Sequence, residues 1–183
     1  NKFLKKHRMR LSLNSIFIYS IYKAIEKFPM INISYINEKI ILKSDINIGL
    51  AVALNNGNLI VPVIKNADKL SIKEINIELN RLVSSVQAGE TDVRDLQGST
   101  FTISSLGGIG GTNFTPIVNP PEVAILGFSK AEYKFVEYQG KMKKKLVMPI
   151  SLTYDHRVID GVEGVRFTNK YRNELESFLF KKK

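Results

Sequence analysis

Two β-rich apolar runs, residues 46–54 and 59–64, flank the turn Asn55-Asn56-Gly57-Asn58. Runs of this kind on either side of a turn demand a sheet with at least one face covered. The rest of the chain supplies the cover. Residues 15–28 carry a broad apolar stripe at helical spacing, and Pro29 stops them. Ser71-Ile72-Lys73-Glu74 is a capping box, in which the Ser71 hydroxyl and the Glu74 carboxylate satisfy free backbone donors reciprocally. The helix it opens carries Ile72, Ile75, Leu79, Leu82, Val83 and Val86 on one side and ends at Ala88-Gly89. Residues 162–180 read as a closing helix.

Between the helices lie further strands. Residues 31–36 and 39–42 predict a hairpin about Asn37-Glu38, and 134–138 with 143–154 a second about Gln139-Gly140. Residues 101–104 form a strand that runs into Leu106-Gly107-Gly108-Ile109-Gly110-Gly111. Pro120-Pro121, ahead of Glu122 and a strand over 123–127, predict a rigid extended lead. The order is helix, strands, helix, strands, helix. A doubly wound parallel fold alternates more regularly. The fold expected is α/β of the α+β kind: one domain over 1–183, a mixed β-sheet with helices on one face.

The chain has two histidines, His7 in a basic N-terminal segment and His156 after the apolar run that ends at Tyr154. Imidazole is the side chain whose ordinary pKa lies nearest neutrality, so His156 is the first candidate for proton transfer. Asp160, four residues on, shares its face if one helical turn intervenes. The plainer alternative is a histidine near a helix N-terminus with Asp155 or Asp160 as the capping acid. The glycines at 107, 108, 110 and 111 allow a phosphate cradle or a tight turn. No Lys-Ser/Thr follows them and no helix opens after them, so neither the Walker nor the Rossmann pattern is met. With no cysteine and no second histidine at ligand spacing, no metal site is expected.

The net charge of +10 raises nucleic-acid binding as a possibility. Its distribution points to solvated faces instead: Lys2, Lys5, Lys6, Arg8 and Arg10, then Lys141, Lys143, Lys144 and Lys145 on a surface strand, then Lys181–Lys183. No nucleic acid and no membrane are expected as partners, since the most apolar helical stretch is too short to span a bilayer. Absent cysteine fits a reducing compartment; the location expected is the cytoplasm of a bacterium, or the mitochondrial matrix or plastid of a eukaryote.

Three segments, in order, carry a resemblance. Phe101-Thr102-Ile103-Ser104-Ser105-Leu106-Gly107-Gly108 comes first, then Pro120-Pro121-Glu122-Val123-Ala124-Ile125-Leu126-Gly127 after Phe114-Thr115-Pro116. Asp155-His156-Arg157-Val158-Ile159-Asp160-Gly161 completes the set. Together they resemble the catalytic domain of the dihydrolipoamide acyltransferases, core subunits of 2-oxo acid dehydrogenase complexes, and most of all the acetyltransferases of pyruvate dehydrogenase complexes. The resemblance implies a trimer with the fold of chloramphenicol acetyltransferase, able to build a larger symmetric core. It implies acetyl transfer between a lipoyl arm and coenzyme A, both as substrates. It gives His156 the role of general base and Ser104 that of oxyanion donor across a subunit interface, with Asp160 in support, orienting the site or holding the loop.

Relative to the family, a first strand and helix, the lipoyl domain and the domain that binds the decarboxylase and dihydrolipoamide dehydrogenase partners are missing, so a fragment of a longer chain is expected. A branched-chain or succinyl transferase of the same family, or an inactive core remnant, are the alternatives.

Overall fold

The computed structural model describes residues 10–54 and 57–180. The basic segment with His7, the Asn55-Asn56 pair and Lys181–Lys183 lie outside the described residues. Among the described residues three α-helices are formed: α1 (Leu13–Ile25), α2 (Ile72–Ala88) and α3 (Gly161–Phe180). Ten strands accompany them: β1 (Ile33–Ile36), β2 (Lys39–Leu42), β3 (Ile48–Ala53), β4 (Leu59–Ile60), β5 (Val63–Ile64), β6 (Phe101–Ser105), β7 (Ala124–Phe128), β8 (Glu132–Tyr138), β9 (Lys141–Val147) and β10 (Ile150–Tyr154).

The main sheet runs β10-β7-β6-β3-β4, with β5 also paired to β3. β3, β6 and β7 are mutually parallel, while β10, β4 and β5 pair antiparallel, so the sheet is mixed as expected. Leu50, Ile103, Leu126 and Leu152 stand in one row across four strands. That row and its neighbours Ile48, Phe101, Ala124 and Phe128 join one core with Ile21 of α1, Leu79 of α2 and Phe167 of α3. Side chains alternate along a strand. The intervening row, Ala51, Ser104, Gly127 and Ser151, therefore faces away from the helices.

Aromatic rings stitch helices to sheet. Phe17 of α1 stacks on Phe128 of β7 with ring centroids 4.1 Å apart, and Tyr171 and Phe167 of α3 lie against Phe128 and Phe101. The capping box on α2 is formed as its sequence dictates, and Gly89 closes that helix in the left-handed region at φ 73°. Both two-residue hairpin turns take positive φ, at Asn37 and Glu38 and at Gln139 and Gly140.

Prolines account for most departures from the sequence reading. Residues 59–64 are two short strands, because Pro62 has no N–H for the ladder. The run 143–154 divides at Met148-Pro149 into β9, in an outlying hairpin with β8, and β10, in the main sheet. Pro120-Pro121 form a turn rather than an extended lead, with the Glu122 N–H donating to the Asn119 carbonyl at 3.0 Å. Helix α1 starts two residues earlier than its apolar stripe suggests, because the Ser12 hydroxyl caps it by accepting from the Ser15 N–H. It ends at Ile25, and Pro29 opens a short 3₁₀ turn instead of stopping it.

Phe17→Ala removes the ring that stacks on Phe128 in the fully buried layer. We expect a loss of about 3–5 kcal/mol in urea unfolding. A loss below about 1 kcal/mol would show that this layer is not the core.

Candidate active site

His156 lies in the turn between β10 and α3, and its position is set by the residues around it. Strand pairing extends one residue past β10, where the Asp155 N–H donates to the Val123 carbonyl at 2.8 Å. The Asp155 carbonyl then accepts from the N–H groups of Val158 and Ile159, at 3.2 and 3.1 Å, which closes a single tight turn. Ile159 is buried and pins the turn to the core. The Asp155 carboxylate takes a forked pair from Arg157, with Nε at 2.9 Å to one oxygen and Nη2 at 2.6 Å to the other. These bonds from Arg157 hold the Asp155 carboxyl below the usual carboxylate range. The Arg157 guanidinium in turn lies 4.6 Å from the ring centre of Tyr35 on β1.

Asp160 has a different task. Its Oδ1 accepts from the Glu163 N–H at 2.8 Å and its carbonyl from the Gly164 N–H at 3.0 Å, so it caps α3. Among the described residues, no hydrogen bond joins Asp160 to His156 and none reaches the imidazole. The alternative of a capping acid is thus met by Asp160, and the arginine-paired acid of the loop is Asp155. His156 is exposed, with the Tyr154 ring beside it at 5.7 Å between centroids. Gly164 makes room for that ring: a Cβ there would sit 3.0 Å from Tyr154 Cε1. Tyr154 and Gly164 were not singled out from sequence, and a lone glycine in a helical stretch was the signal for a close approach.

Ser104 is half-buried near the end of β6, facing away from the helices. Its neighbours across the sheet are Ala51 and Gly127, both small. Leu106 extends the ladder by one bond, its N–H donating to the Phe128 carbonyl at 2.9 Å. Its own carbonyl then closes a turn by accepting from the N–H groups of Ile109 and Gly110 at 3.0 Å, with Gly110 at φ 111°. The loop returns across the sheet and lays Phe114 over Gly127, so closely that a Cβ on Gly127 would meet Phe114 Cζ at 2.7 Å. The glycine-rich segment is therefore a tight turn that walls the Ser104 side of the sheet.

One chain does not bring Ser104 and His156 together. Ser104 pairs with Gly127, and Gly127 with Ser151. His156 lies five residues past Ser151, just beyond the end of a strand that runs opposite to β6. Two strand spacings of ~4.8 Å and about five residues, of which those in the strand rise ~3.3 Å each, separate the two by roughly 15 Å or more. Among the described residues no group of three or more histidine, aspartate or glutamate side chains is placed to hold a metal ion. No described helix is long and apolar enough to cross a membrane.

A mixed sheet backed by helices on one face is the architecture of chloramphenicol acetyltransferase, and the fold superposes on that enzyme with a TM-score of 0.64 over 95% of this chain and 81% of that one, at 18% identity. The class is thus a chloramphenicol acetyltransferase-like fold. The chain belongs to the 2-oxoacid dehydrogenases acyltransferase (catalytic domain) family, whose family model matches residues 1–180.

Over 97% of its length the chain is 42% identical to the dihydrolipoyllysine-residue acetyltransferase component of the pyruvate dehydrogenase complex of Cupriavidus necator, of which it covers 32%. Over 96% it is 39% identical to the dihydrolipoyllysine-residue succinyltransferase component of the 2-oxoglutarate dehydrogenase complex of Rickettsia typhi, covering 44%. The chain thus spans less than half the length of either relative.

Among solved structures, the cubic core of the pyruvate dehydrogenase multienzyme complex matches at TM-score 0.88 and 38% identity, over 98% of this chain and 75% of that one. The dihydrolipoamide acetyltransferase of Azotobacter vinelandii, studied for the role of a serine, a histidine and an asparagine in its catalytic mechanism, matches at TM-score 0.88 and 37% identity over the same shares.

Gly127→Ala sets a methyl against the Phe114 ring, and we expect a loss of about 1–3 kcal/mol on unfolding. Phe114→Ala in the same chain should recover part of it. A strictly additive double mutant would show that the two residues do not touch.

Proposed function

We propose that the chain is the catalytic domain of a dihydrolipoyllysine-residue acetyltransferase, moving acetyl between a dihydrolipoyl arm and coenzyme A in a pyruvate dehydrogenase complex. The observation that carries this reading is a spacing. Ser104, His156 and Asp160 stand in the same order, and at the same separations along the chain, as the serine, histidine and asparagine investigated in the Azotobacter vinelandii enzyme.

His156 takes the proton of the incoming thiol as its sulfur attacks the thioester carbonyl carbon. The carbonyl oxygen gathers the negative charge, and the Ser104 hydroxyl donates a hydrogen bond to it. The carbon–sulfur bond of the original thioester then breaks and His156 returns the proton to the departing thiolate, so the same path serves the reaction in both directions. The route uses one imidazole and one hydroxyl and leaves both unchanged. Substrate acyl group, base and oxyanion donor must meet within a few ångströms. The wide separation of Ser104 and His156 in one chain supports a site shared between subunits of a trimer. The similarity to a cubic core supports further assembly of such trimers. The lipoyl arm, the decarboxylase and the dihydrolipoamide dehydrogenase are the partners this reading implies.

The acetyl assignment rests on the resemblance of Ser104-Ser105-Leu106-Gly107 and of the Pro121-to-Gly127 stretch to the acetyl type. A succinyltransferase among the relatives makes succinyl the second reading. Initial rates with dihydrolipoamide and acetyl-, succinyl- or isobutyryl-coenzyme A decide between them. Acetyl should be preferred, and no turnover with any donor would mark an inactive core protein.

His156→Ala should lower kcat by roughly 10²–10⁴ while leaving assembly intact by sedimentation. Ser104→Ala should lower it by ~10²–10³. Near-normal turnover in the first, or a change under about twofold in the second, would remove that residue from the mechanism.

Asp160 follows from its capping bond. Asparagine caps as well as aspartate, whereas alanine does not, at about 1 kcal/mol. Asp160→Asn should therefore keep both stability and activity, and Asp160→Ala should lower the thermal midpoint by roughly 2–4 °C. Loss of turnover in Asp160→Asn at unchanged stability would instead show that the charge itself serves the reaction.

A further inference from the structure

Glu122 is the buried acid that the proposed mechanism does not use. Only 6% of it is exposed. Its Oε1 accepts from the Thr102 hydroxyl at 2.8 Å, while Oε2 has no hydrogen-bond partner. It lies in the wall of a cleft of about 560 Å³, with Ser34, Lys43, Asp45, Ser99 and Asn119 around it. A carboxyl held out of water with one oxygen unpaired costs free energy that an apolar side chain of similar size would not. Such a group calls for a reason.

The reason offered by the structure is its position. Glu122 forms an antiparallel bridge with Ser34 of β1. The next residue along each strand holds the His156 turn: the Val123 carbonyl takes the Asp155 N–H, and the Tyr35 ring takes the Arg157 guanidinium. On its other side Glu122 grips Thr102, which shares strand and face with Ser104 two residues on. We propose that Glu122 is a positioning residue, joining the strand that bears Ser104 to the two supports of the His156 turn. The inference rests on the roles proposed above for those two residues.

Burial pushes the Glu122 carboxyl up, against the polar side chains of Ser99, Thr102 and Asn119, which favour its charged form. The charged groups that share its cleft are Lys43 and Asp45 on the β2–β3 connection. Strand β6 presents Thr102 and the segment before it Ser99, the 119–121 turn presents Asn119, and β1 presents Ser34, all neutral. Asp155 and Arg157, in the neighbouring turn, are paired with each other. A raised pKa means that the fold favours the protonated form. Its contribution is complete below the ordinary glutamate range and fades as pH rises through the raised value.

The experiment compares Glu122→Gln, which keeps the shape and a hydrogen-bonding oxygen without the ionisable group, with Glu122→Ala, in the assembled full chain. Glu122→Ala should lower kcat by roughly 10- to 100-fold, the effect of a small misplacement, with KM for coenzyme A and dihydrolipoamide within about threefold. Glu122→Gln should keep kcat near that of the wild type. A second readout needs no turnover. In a His7→Gln background His156 is the sole imidazole, and its ¹⁵N resonances should shift in Glu122→Ala but not in Glu122→Gln.

Unchanged kcat and resonances in Glu122→Ala, or equal impairment in both variants, would overturn the inference. If Glu122→Ala does not fold, Thr102→Val cuts the same link and must show the same two effects. Wild-type protein that transfers no acyl group would count against the proposed function instead, and the resonances would still judge Glu122.

Discussion

Much of the site depends on the register that aligns Leu50, Ile103, Leu126 and Leu152 across four strands. These side chains, with Phe101 and Phe128 beside them, give the three helices a continuous apolar floor. A slip of one residue on β6 would turn Ile103 to the open face and bring Ser104 into the core. The hydrophobic row thus orients the hydroxyl without touching it. The row behind it can be small and polar because large side chains there have no core to fill. Ala51 and Gly127 leave the hydroxyl accessible, and Phe114 occupies the space that a larger residue at 127 would need.

The same topology separates the two halves of the site. β6 and β7 run parallel and β10 runs against them, so the turns that follow β6 and β10 leave opposite edges of the sheet. No rotamer or loop movement short of unpairing β10 would close a gap of roughly 15 Å. On the proposed mechanism, His156 and Ser104 held this rigidly apart would form a site only by pairing between copies. On this argument oligomeric assembly is a requirement of the chemistry.

Local features were legible in the sequence where few residues determine them. The capping box at Ser71, the hairpin about Asn37-Glu38 and the glycine stop at 89 each depend on a handful of neighbouring groups. Pro62, Pro120 and Pro149 carried their warnings too, since each lacks an N–H. Yet apolar runs on either side of Pro62 and Pro149 read as single strands when the pattern is followed without asking which N–H groups the ladder needs. The candidate pair was found by residue type and motif, His156 as one of two histidines and Ser104 by resemblance. Their surroundings were not found. Phe114 over Gly127, Tyr35 under Arg157 and Glu122 on Thr102 join residues far apart in sequence, and nothing local in either partner announces the other.

Asp160 shows how one spacing admits two readings. A carboxylate four residues after a histidine suggests an acid that orients the imidazole. In this fold its Oδ1 is committed to the Glu163 N–H, and its charge sits at the N-terminus of α3, where the helix dipole stabilises it. Its influence on His156 passes through the helix. The first turn of α3 places Gly164 under the Tyr154 ring, and that ring flanks the imidazole. A frayed first turn would free Tyr154 and, with it, one wall beside the imidazole. Orientation of His156 is therefore spread over a cap, a glycine, an aromatic ring and the Asp155–Arg157 pair. An asparagine at this position can serve as well as an aspartate, because what the turn needs is a side-chain oxygen that accepts one backbone N–H.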